Sequence, residues 1–274
     1  MGNEEGSSQQ HERIVRTTAD RRKKAGEFCF HGLGRRAEAV WGWSSVKKEH
    51  TSHPSLEALD GRRWILLIRH GLSVANTQKD VFFGSCDERF IDAGLSPVGR
   101  RQAEALSPVL EAFKPDLILS SPMRRAIQTC MLALEGSPSS PPIVLHPTAM
   151  ECAGEGHENE GRVVEQISQD VEFQCFAHWR KVNLQEMPDG AWWEEERERI
   201  KQAGGRKAQA RSLVSWLKHR SERKIAVFTH WGLVEAFSGR SASNGGPMID
   251  FLFAPVDPAL PPRKWDWFHA RKRD

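Results

Sequence analysis

Trp64-Ile65-Leu66-Leu67-Ile68-Arg69-His70-Gly71 is the stretch that decides the fold. Five consecutive apolar residues stop abruptly at an arginine, a histidine and a glycine. A run so short and continuous fits a strand covered on both faces, as in a parallel sheet, rather than one with a wet face. Glycine after the imidazole lets the backbone turn sharply and lets a charged group come close.

Three further blocks repeat the design. Leu117-Ile118-Leu119 is followed by Ser121-Pro122 and then Arg124-Arg125; Ile143-Val144-Leu145 is followed by Glu151; Lys224-Ile225-Ala226-Val227-Phe228-Thr229 runs directly into His230-Trp231-Gly232. Amphipathic helices separate the runs. Ser96-Pro97 opens one in the favoured order of capping hydroxyl and first-turn proline, with Ala103, Leu106, Leu110 and Phe113 along one face. Pro108 predicts a break in it near Ser107. Ser121-Pro122 predicts a second helix, with Ile127, Cys130, Met131 and Leu134 inward and Gly136 at its end. Ala210, Leu213, Val214 and Leu217 mark a third, and a fourth is expected after Gly232. Strands alternating with helices predict an α/β fold: a three-layer α/β/α sandwich with a mainly parallel central sheet. Residues 150–206 are more polar, and their pattern assigns no elements.

The polar groups named above all fall beyond the carboxyl ends of strands, the edge at which open α/β sheets bind ligands. Taken singly, each has a plain reading: His70 as a surface or core histidine, Arg125 as an exposed helix residue. Together they suit phosphoryl transfer through nitrogen. A neutral imidazole is a competent nucleophile near pH 7. An arginine in a first helical turn adds charge to the positive end of the helix dipole, which is unfavourable unless an anion binds there. Guanidinium forks match phosphate oxygens, and a carboxylic acid is needed to protonate the leaving alkoxide. Glu151 is the candidate acid, with Glu155, Glu158 and Glu160 as rivals. This chemistry needs no metal and no cofactor. His146, Glu151, Cys152 and His157 could be read as a zinc cluster, but they lack the usual ligand spacing.

Composition narrows the classes. The 274 residues are 39% apolar and include ten Trp and no Tyr, enough for a substantial core. The formal charge of +3 resides in residues 263–274, which hold five basic and two acidic residues; the rest of the chain is neutral overall. No nucleic-acid partner is expected on that basis. Trp265, Trp267 and Phe268 interleave with the tail's basic residues, a pattern open to contact with an anionic membrane or RNA, although a solvated basic tail is the simpler reading. Five widely spaced Cys without a CxxC pair point to a reducing, cytoplasmic setting. No run approaches the ~18 apolar residues of a membrane span. Gly2 invites N-terminal lipidation, but Gly6 stands where the motif calls for Ser or Thr. Nothing in the pattern sets an oligomeric state.

The blocks resemble the histidine phosphatase superfamily, also called phosphoglycerate mutase-like. Leu67-Ile68-Arg69-His70-Gly71 with Ser73 and Asn76 is similar to its strand and RHG motif. Asp92-Ala93-Gly94-Leu95-Ser96 to Gly99-Arg100-Arg101-Gln102-Ala103 resembles its second segment. Ser121-Pro122-Met123-Arg124-Arg125-Ala126 to Thr129 resembles its S-P-x-x-R-A-x-x-T helix start, and Thr229-His230-Trp231-Gly232 its closing motif. The resemblance spans about residues 63–240. It implies His70 as a transiently phosphorylated nucleophile and Arg69, Asn76, Arg125 and His230 as phosphate-binding residues. Glu151 would be the proton donor, within a segment that follows the family pattern only loosely. The family's functional arginine directly precedes an Ala, which selects Arg125 over Arg124.

The implied activity is phosphomonoester hydrolysis of a small phosphorylated metabolite. The segment typical of cofactor-dependent mutases is absent, which argues against the alternative of a phosphoglycerate mutase. Another alternative, a catalytically weak relative that binds phosphorylated partners, would have no need of a nucleophile. Asn159-Glu160-Gly161 and Asp170-Val171-Glu172-Phe173 look like a plant, fungal and protist branch. The expected organisation is a poorly ordered extension over 1–60, the phosphatase domain over 61–256 and a basic tail over 257–274. Trp179 and Trp192-Trp193 read either as an aromatic wall over the pocket or, more simply, as core packing.

Overall fold

The computed structural model describes residues 62–77, 88–151, 156–239, 244–245 and 247–253. The expected extension over 1–60 and tail over 257–274 lie outside the described residues.

Six strands form one sheet: β1 (Arg62–Arg69), β2 (Leu117–Ser120), β3 (Ile143–Leu145), β4 (Val182–Asn183), β5 (Lys224–Thr229) and β6 (Pro247–Phe253), in the order β4-β3-β2-β5-β1-β6. The first five pair in parallel, and β6 runs antiparallel along β1. The register sets Arg69 opposite Thr229 and Ser120 opposite both Phe228 and Leu145. The carboxyl ends of β1, β5, β2 and β3 therefore form one row, and whatever follows each strand emerges at the same rim.

Residue parity divides the core between the two faces, since successive strand residues point to opposite sides. Leu66, Ile68, Ile118, Ile143, Leu145, Ala226 and Phe228 pack on one face. Covering them are α3 (Ser107–Phe113), through Leu110 and Phe113, and α4 (Arg124–Leu134), through Ile127, Cys130, Met131 and Leu134. Ile65, Leu67, Leu117, Leu119, Val144, Ile225 and Val227 face the other way. Against them lie α8 (Arg206–Lys218), through Leu213, Val214 and Leu217, and α9 (Trp231–Ser238), through Leu233, Val234 and Phe237. The α/β/α sandwich with a mainly parallel sheet is the observed architecture.

The remaining helices are α1 (Val74–Thr77), α2 (Pro97–Glu104), α5 (Val164–Ser168), α6 (Val171–Gln174) and α7 (Trp192–Gln202). The break near Ser107 is present: α2 ends at Glu104, and α3 starts at Ser107 with Pro108 in its first turn. Ser96 caps α2 by accepting from the Gly99 amide. At Ser121-Pro122 the expectation was wrong. The helix begins at Arg124, with Met123 as its N-cap residue, and the Ser121 hydroxyl lies back at the strand end. Pro122 disfavours helical geometry in the residue before it, Ser121, and Met123 is still extended (φ −68°, ψ 137°). The fourth helix starts at Trp231, a residue before the expected glycine.

The 150–206 stretch is held by charge rather than by a periodic apolar stripe. Asp170 and Glu172 bracket the start of α6. The Glu172 carboxylate accepts from Arg124 Nη2 (2.8 Å), from Gln128 Nε2 (2.8 and 2.9 Å) and from Arg100. Arg162 donates to Asp92 (2.8 Å) and to Asp170 (2.6 Å). Although burial pushes both Asp170 and Glu172 up, the arginine hydrogen bonds win and hold them below the ordinary carboxylate range. Trp192 is buried, donates its indole N–H to the Arg162 carbonyl (2.8 Å) and belongs to the core cluster, with Trp179 and Trp193 half-buried against it. The core reading of these tryptophans is the one the structure supports. Among the described residues, no helix is long and apolar enough to cross a membrane.

Candidate active site

His70 follows β1 directly and is buried. Its amide donates to the Thr229 carbonyl (2.9 Å), and its own carbonyl accepts from the Gly245 amide (2.8 Å), so the backbone is tied on both sides. Within the side chain, Nδ1 donates to the Gly71 carbonyl at 2.7 Å. That bond places the ring proton on Nδ1 and leaves Nε2 as the unprotonated, nucleophilic nitrogen.

Gly71 is required because its Cα lies against α2: a Cβ there would stand 2.5 Å from the Gly99 carbonyl oxygen. The Gly71 amide donates to Thr129 Oγ1 (3.0 Å), and that hydroxyl donates to the Arg125 carbonyl (2.6 Å). The RHG turn and the first turn of α4 are thus joined through one threonine.

Arg125 is buried and its guanidinium is spread over three partners. Nε points to His70 Nε2 at 3.4 Å, Nη1 donates to the Glu158 carbonyl (2.6 Å), and Nη2 donates to Asn159 Oδ1 (2.9 Å). Arg124 turns away, to Asp170 (3.3 Å) and Glu172 (2.8 Å). Of the two adjacent arginines, Arg125 is the one beside His70.

His230 follows β5, and its ring centroid lies 5.0 Å from that of His70. Its Nε2 is 2.8 Å from Ser121 Oγ, while its Nδ1 is buried without a hydrogen-bond partner. Glu151 lies just past the 3-10 turn Pro147–Ala149, where its Oε2 accepts from the Gly232 amide at 3.5 Å, at the positive end of α9.

Electrostatics tie the group together. Burial first, and then the charges of Arg125 and Arg69, push the His70 imidazole well below 6.5. Burial, Arg125, His70 and Arg69 do the same to His230. Both rings are therefore neutral at pH 7. Burial lowers Arg69 and Arg125 as well, opposed by the Glu151 carboxylate in both cases and by Asp92 and Glu158 at Arg125. The two arginines remain charged, as guanidinium does in proteins.

The structure brings His70, Arg125 and His230 into direct proximity and couples Arg69 and Glu151 to them through charge. Asn76 is not joined to them: its amide N–H donates to Ser73 Oγ (3.1 Å), and its Oδ1 is buried without a partner. Among the rival acids, Glu160 pairs with His157 (2.5 Å), and Glu158 offers its carbonyl to Arg125; Glu155 lies outside the described residues. His146 bonds Thr148, and among the described residues no three His, Cys, Asp or Glu side chains converge as metal ligands.

Three contributors escaped the sequence reading. Asn159 grips Arg125, Ser121 meets His230, and Thr129 links the two loops. Ser121 and Thr129 stand in the quoted motif, so only their roles were missing. The signal for Asn159 was its place in Asn159-Glu160-Gly161.

The family model for the histidine phosphatase superfamily (branch 1) matches residues 65–244. A mannitol-1-phosphatase of Eimeria tenella is 35% identical over 112 residues, which are 39% of this chain and 35% of that protein. The chain thus spans about a third of the length of this curated relative. Among solved structures, a phosphoserine phosphatase from Entamoeba histolytica in complex with 3-phosphoglyceric acid has 18% identity and a TM-score of 0.40, covering 69% of this chain and 89% of its own. A mycobacterial glucosyl-3-phosphoglycerate phosphatase has 22% identity and a TM-score of 0.41, covering 69% and 90%. Since the family match takes in well over half of the 274 residues, the chain belongs to the histidine phosphatase superfamily, branch 1.

Proposed function

We propose that this protein is a phosphomonoester hydrolase that acts on a small phosphorylated metabolite through a phosphohistidine on His70. The observation that carries the reading is the His70 ring itself: Nδ1 is committed to the Gly71 carbonyl, and Nε2 faces Arg125 and the His230 ring. A neutral buried imidazole with one nitrogen tied back is a nucleophile aimed in a single direction.

In the first step, Nε2 attacks phosphorus, the P–O ester bond breaks, and the leaving alkoxide takes the Glu151 proton. In the second, the Glu151 carboxylate accepts a proton from water, whose oxygen attacks phosphorus and breaks the N–P bond. Inorganic phosphate leaves, and His70 is regenerated. Arg69, Arg125 and His230 oppose the charge on the phosphoryl oxygens, at about 3 kcal/mol for each well-placed donor. Because the two guanidinium groups supply the positive charge, with the neutral His230 ring adding only a polar contact, the reaction needs no metal. Asn76 is assigned a lesser share in phosphate binding, through its side-chain N–H. The family membership supports phosphatase chemistry, and the name of the Eimeria relative supports a sugar-alcohol phosphate as a member of the substrate class. Five widely spaced cysteines without a CxxC pair suit a cytoplasmic enzyme.

The test is turnover of a chromogenic aryl phosphate with EDTA present, followed by a panel that includes mannitol 1-phosphate and both phosphoglycerates. Expected are chelator-insensitive hydrolysis, its loss in His70→Ala, and an acid-labile, alkali-stable phosphoenzyme in the wild type. Interconversion of the phosphoglycerates without net hydrolysis would replace the reading with a mutase. Phosphate-ligand binding without turnover of any ester would replace it with a binding protein.

A further inference from the structure

A neutral imidazole has one N–H and one lone pair to place, and a hydroxyl has one O–H and two lone pairs. Two such groups meet at the rim of the sheet. Ser121 follows β2 directly, His230 follows β5 directly, and His230 Nε2 lies 2.8 Å from Ser121 Oγ. Both residues are fully buried. The Met123 amide also donates to Ser121 Oγ (3.3 Å), and among the described residues the hydroxyl meets no other hydrogen-bond partner. His230 Nδ1 is buried without any.

Two proton arrangements fit the 2.8 Å contact, and they differ in what they leave unmet. Were Nε2–H to donate to the serine, the serine O–H would be buried without an acceptor and the Nδ1 lone pair without a donor. With the serine O–H donating to Nε2, the hydroxyl is satisfied on both sides, since it accepts from Met123 and gives to the ring. One group is then left, an N–H at Nδ1. Each buried unmet group costs about 1–3 kcal/mol, so the second arrangement wins. Burial, Arg125, His70 and Arg69 together keep the ring from taking a second proton.

The remaining N–H matters because of where the ring stands. The strand order β2-β5-β1 sets His230 between Ser121 on one side and His70 on the other, with the two imidazole centroids 5.0 Å apart. Nε2 is committed on the β2 side. A phosphoryl group arriving at His70 carries negative oxygens, which a lone pair on Nδ1 would repel and an N–H would bind.

We infer that Ser121 is a positioning residue that fixes His230 as its Nδ1–H tautomer, so that Nδ1 donates to a phosphoryl oxygen. This rests on the proposed phosphate-binding role of His230. Ser121 touches no substrate. Its hydroxyl works against the intrinsic preference of an unrestrained imidazole, which favours the proton on Nε2.

Nitrogen-15 NMR of the histidine-labelled full chain at pH 7 reads the tautomer, with the His230 signals identified by their loss in His230→Gln. Orthovanadate affinity is measured on the same proteins. We expect a protonated Nδ1 and an unprotonated Nε2 in the wild type. Ser121→Ala should move the proton at least partly to Nε2 and weaken orthovanadate by about three- to tenfold, the loss of one net hydrogen bond.

A wild-type ring protonated on Nε2, or on both nitrogens, would overturn the inference, and that spectrum requires no change at Ser121. Ser121→Ala that keeps the Nδ1–H tautomer would overturn it too, whether its orthovanadate affinity falls or not, and would leave the serine a packing residue. His230→Gln binding orthovanadate as tightly as wild type would instead overturn the phosphate-binding role of His230, and the inference with it. If Ser121→Ala does not accumulate as folded protein, Ser121→Gly is read against the same outcomes.

Discussion

Gly99→Ala should disable the site without touching any residue in it. A Cβ built on Gly99 stands 2.1 Å from the Leu72 carbonyl oxygen and 2.8 Å from the Leu72 N and C. Real Cβ contacts essentially never fall below 3.0 Å, so the deficit against a backbone atom is about 0.9 Å. No rotamer change can relieve it. The Leu72 carbonyl is itself held by two donors on the neighbouring cap, the Ser96 amide and hydroxyl, each at 2.9 Å. Relief therefore requires α2 to back away and lose those bonds, or the Gly71-Leu72 turn to move toward the site.

Either movement shifts the Gly71 carbonyl that holds His70 Nδ1. A displacement near 1 Å at the reacting group costs on the order of 10²-fold in rate. Overpacking removes about 1–3 kcal/mol, partly offset by up to ~1 kcal/mol from replacing glycine within a helix. For a domain of this size the balance is a fall of a few degrees in Tm, at about 2–4 °C per kcal/mol. The assay is kcat/KM on an aryl phosphate alongside calorimetry. Gly136→Ala serves as the control: φ there is +81° with nothing within 4 Å of the added atom, so it should cost ~1 kcal/mol of stability and leave kcat/KM alone. A Gly99→Ala enzyme with kcat/KM within twofold of wild type would refute the reasoning.

Other outcomes follow from the same geometry. Arg125→Ala should lower kcat/KM by about 10²–10³-fold, as expected for loss of an oxyanion donor, whereas Arg124→Ala should cost only about 1 kcal/mol in urea unfolding and leave kinetics near wild type. Comparable kinetic losses in both would show that the two guanidinium groups are not divided as their partners suggest. Ser121→Ala, which removes the partner of His230 Nε2, should weaken vanadate binding and kcat/KM together by up to about tenfold; unchanged vanadate affinity would dissociate Ser121 from the site. Acid should unfold the protein early. Burial lowers His70 and His230 well below 6.5, so below that pH the unfolded chain binds protons that the folded one refuses, and stability falls by about 1.4 kcal/mol per pH unit for each imidazole. Urea midpoints that stay flat from pH 7 to 5.5 would contradict this.

The parts of the fold readable from sequence are those with local causes. Trp64 to Ile68 and Leu117 to Leu119 announce strands because each is a short, unbroken apolar run, and Pro108 announces a break because its ring excludes a helical hydrogen bond. The segment from 150 to 206 has no such causes. Apart from α7 its elements are short, with β4 only two residues long, and much of its order comes from pairs distant in sequence, such as Arg162 with Asp92 and Arg124 with Glu172. An ion pair leaves no period to detect.

The site divides along the same line. Arg124 and Arg125 are adjacent in one helical turn, so about 100° of rotation separates their side chains, and composition cannot say which faces the rim. The family motif could, because it records where the Ala falls. Ser-Pro occurs at 96–97 and again at 121–122, each followed by an amphipathic stripe, and the same local rule predicts a capping serine in both. At Ser96 the rule holds, and the hydroxyl meets the Gly99 amide. At Ser121, helix entry is delayed to Arg124, and the hydroxyl is left at the strand end, 2.8 Å from an imidazole 109 residues away. Nothing near position 121 encodes that histidine. The parallel pairing of β2 with β5 brings it there, and that pairing is a property of the whole sheet.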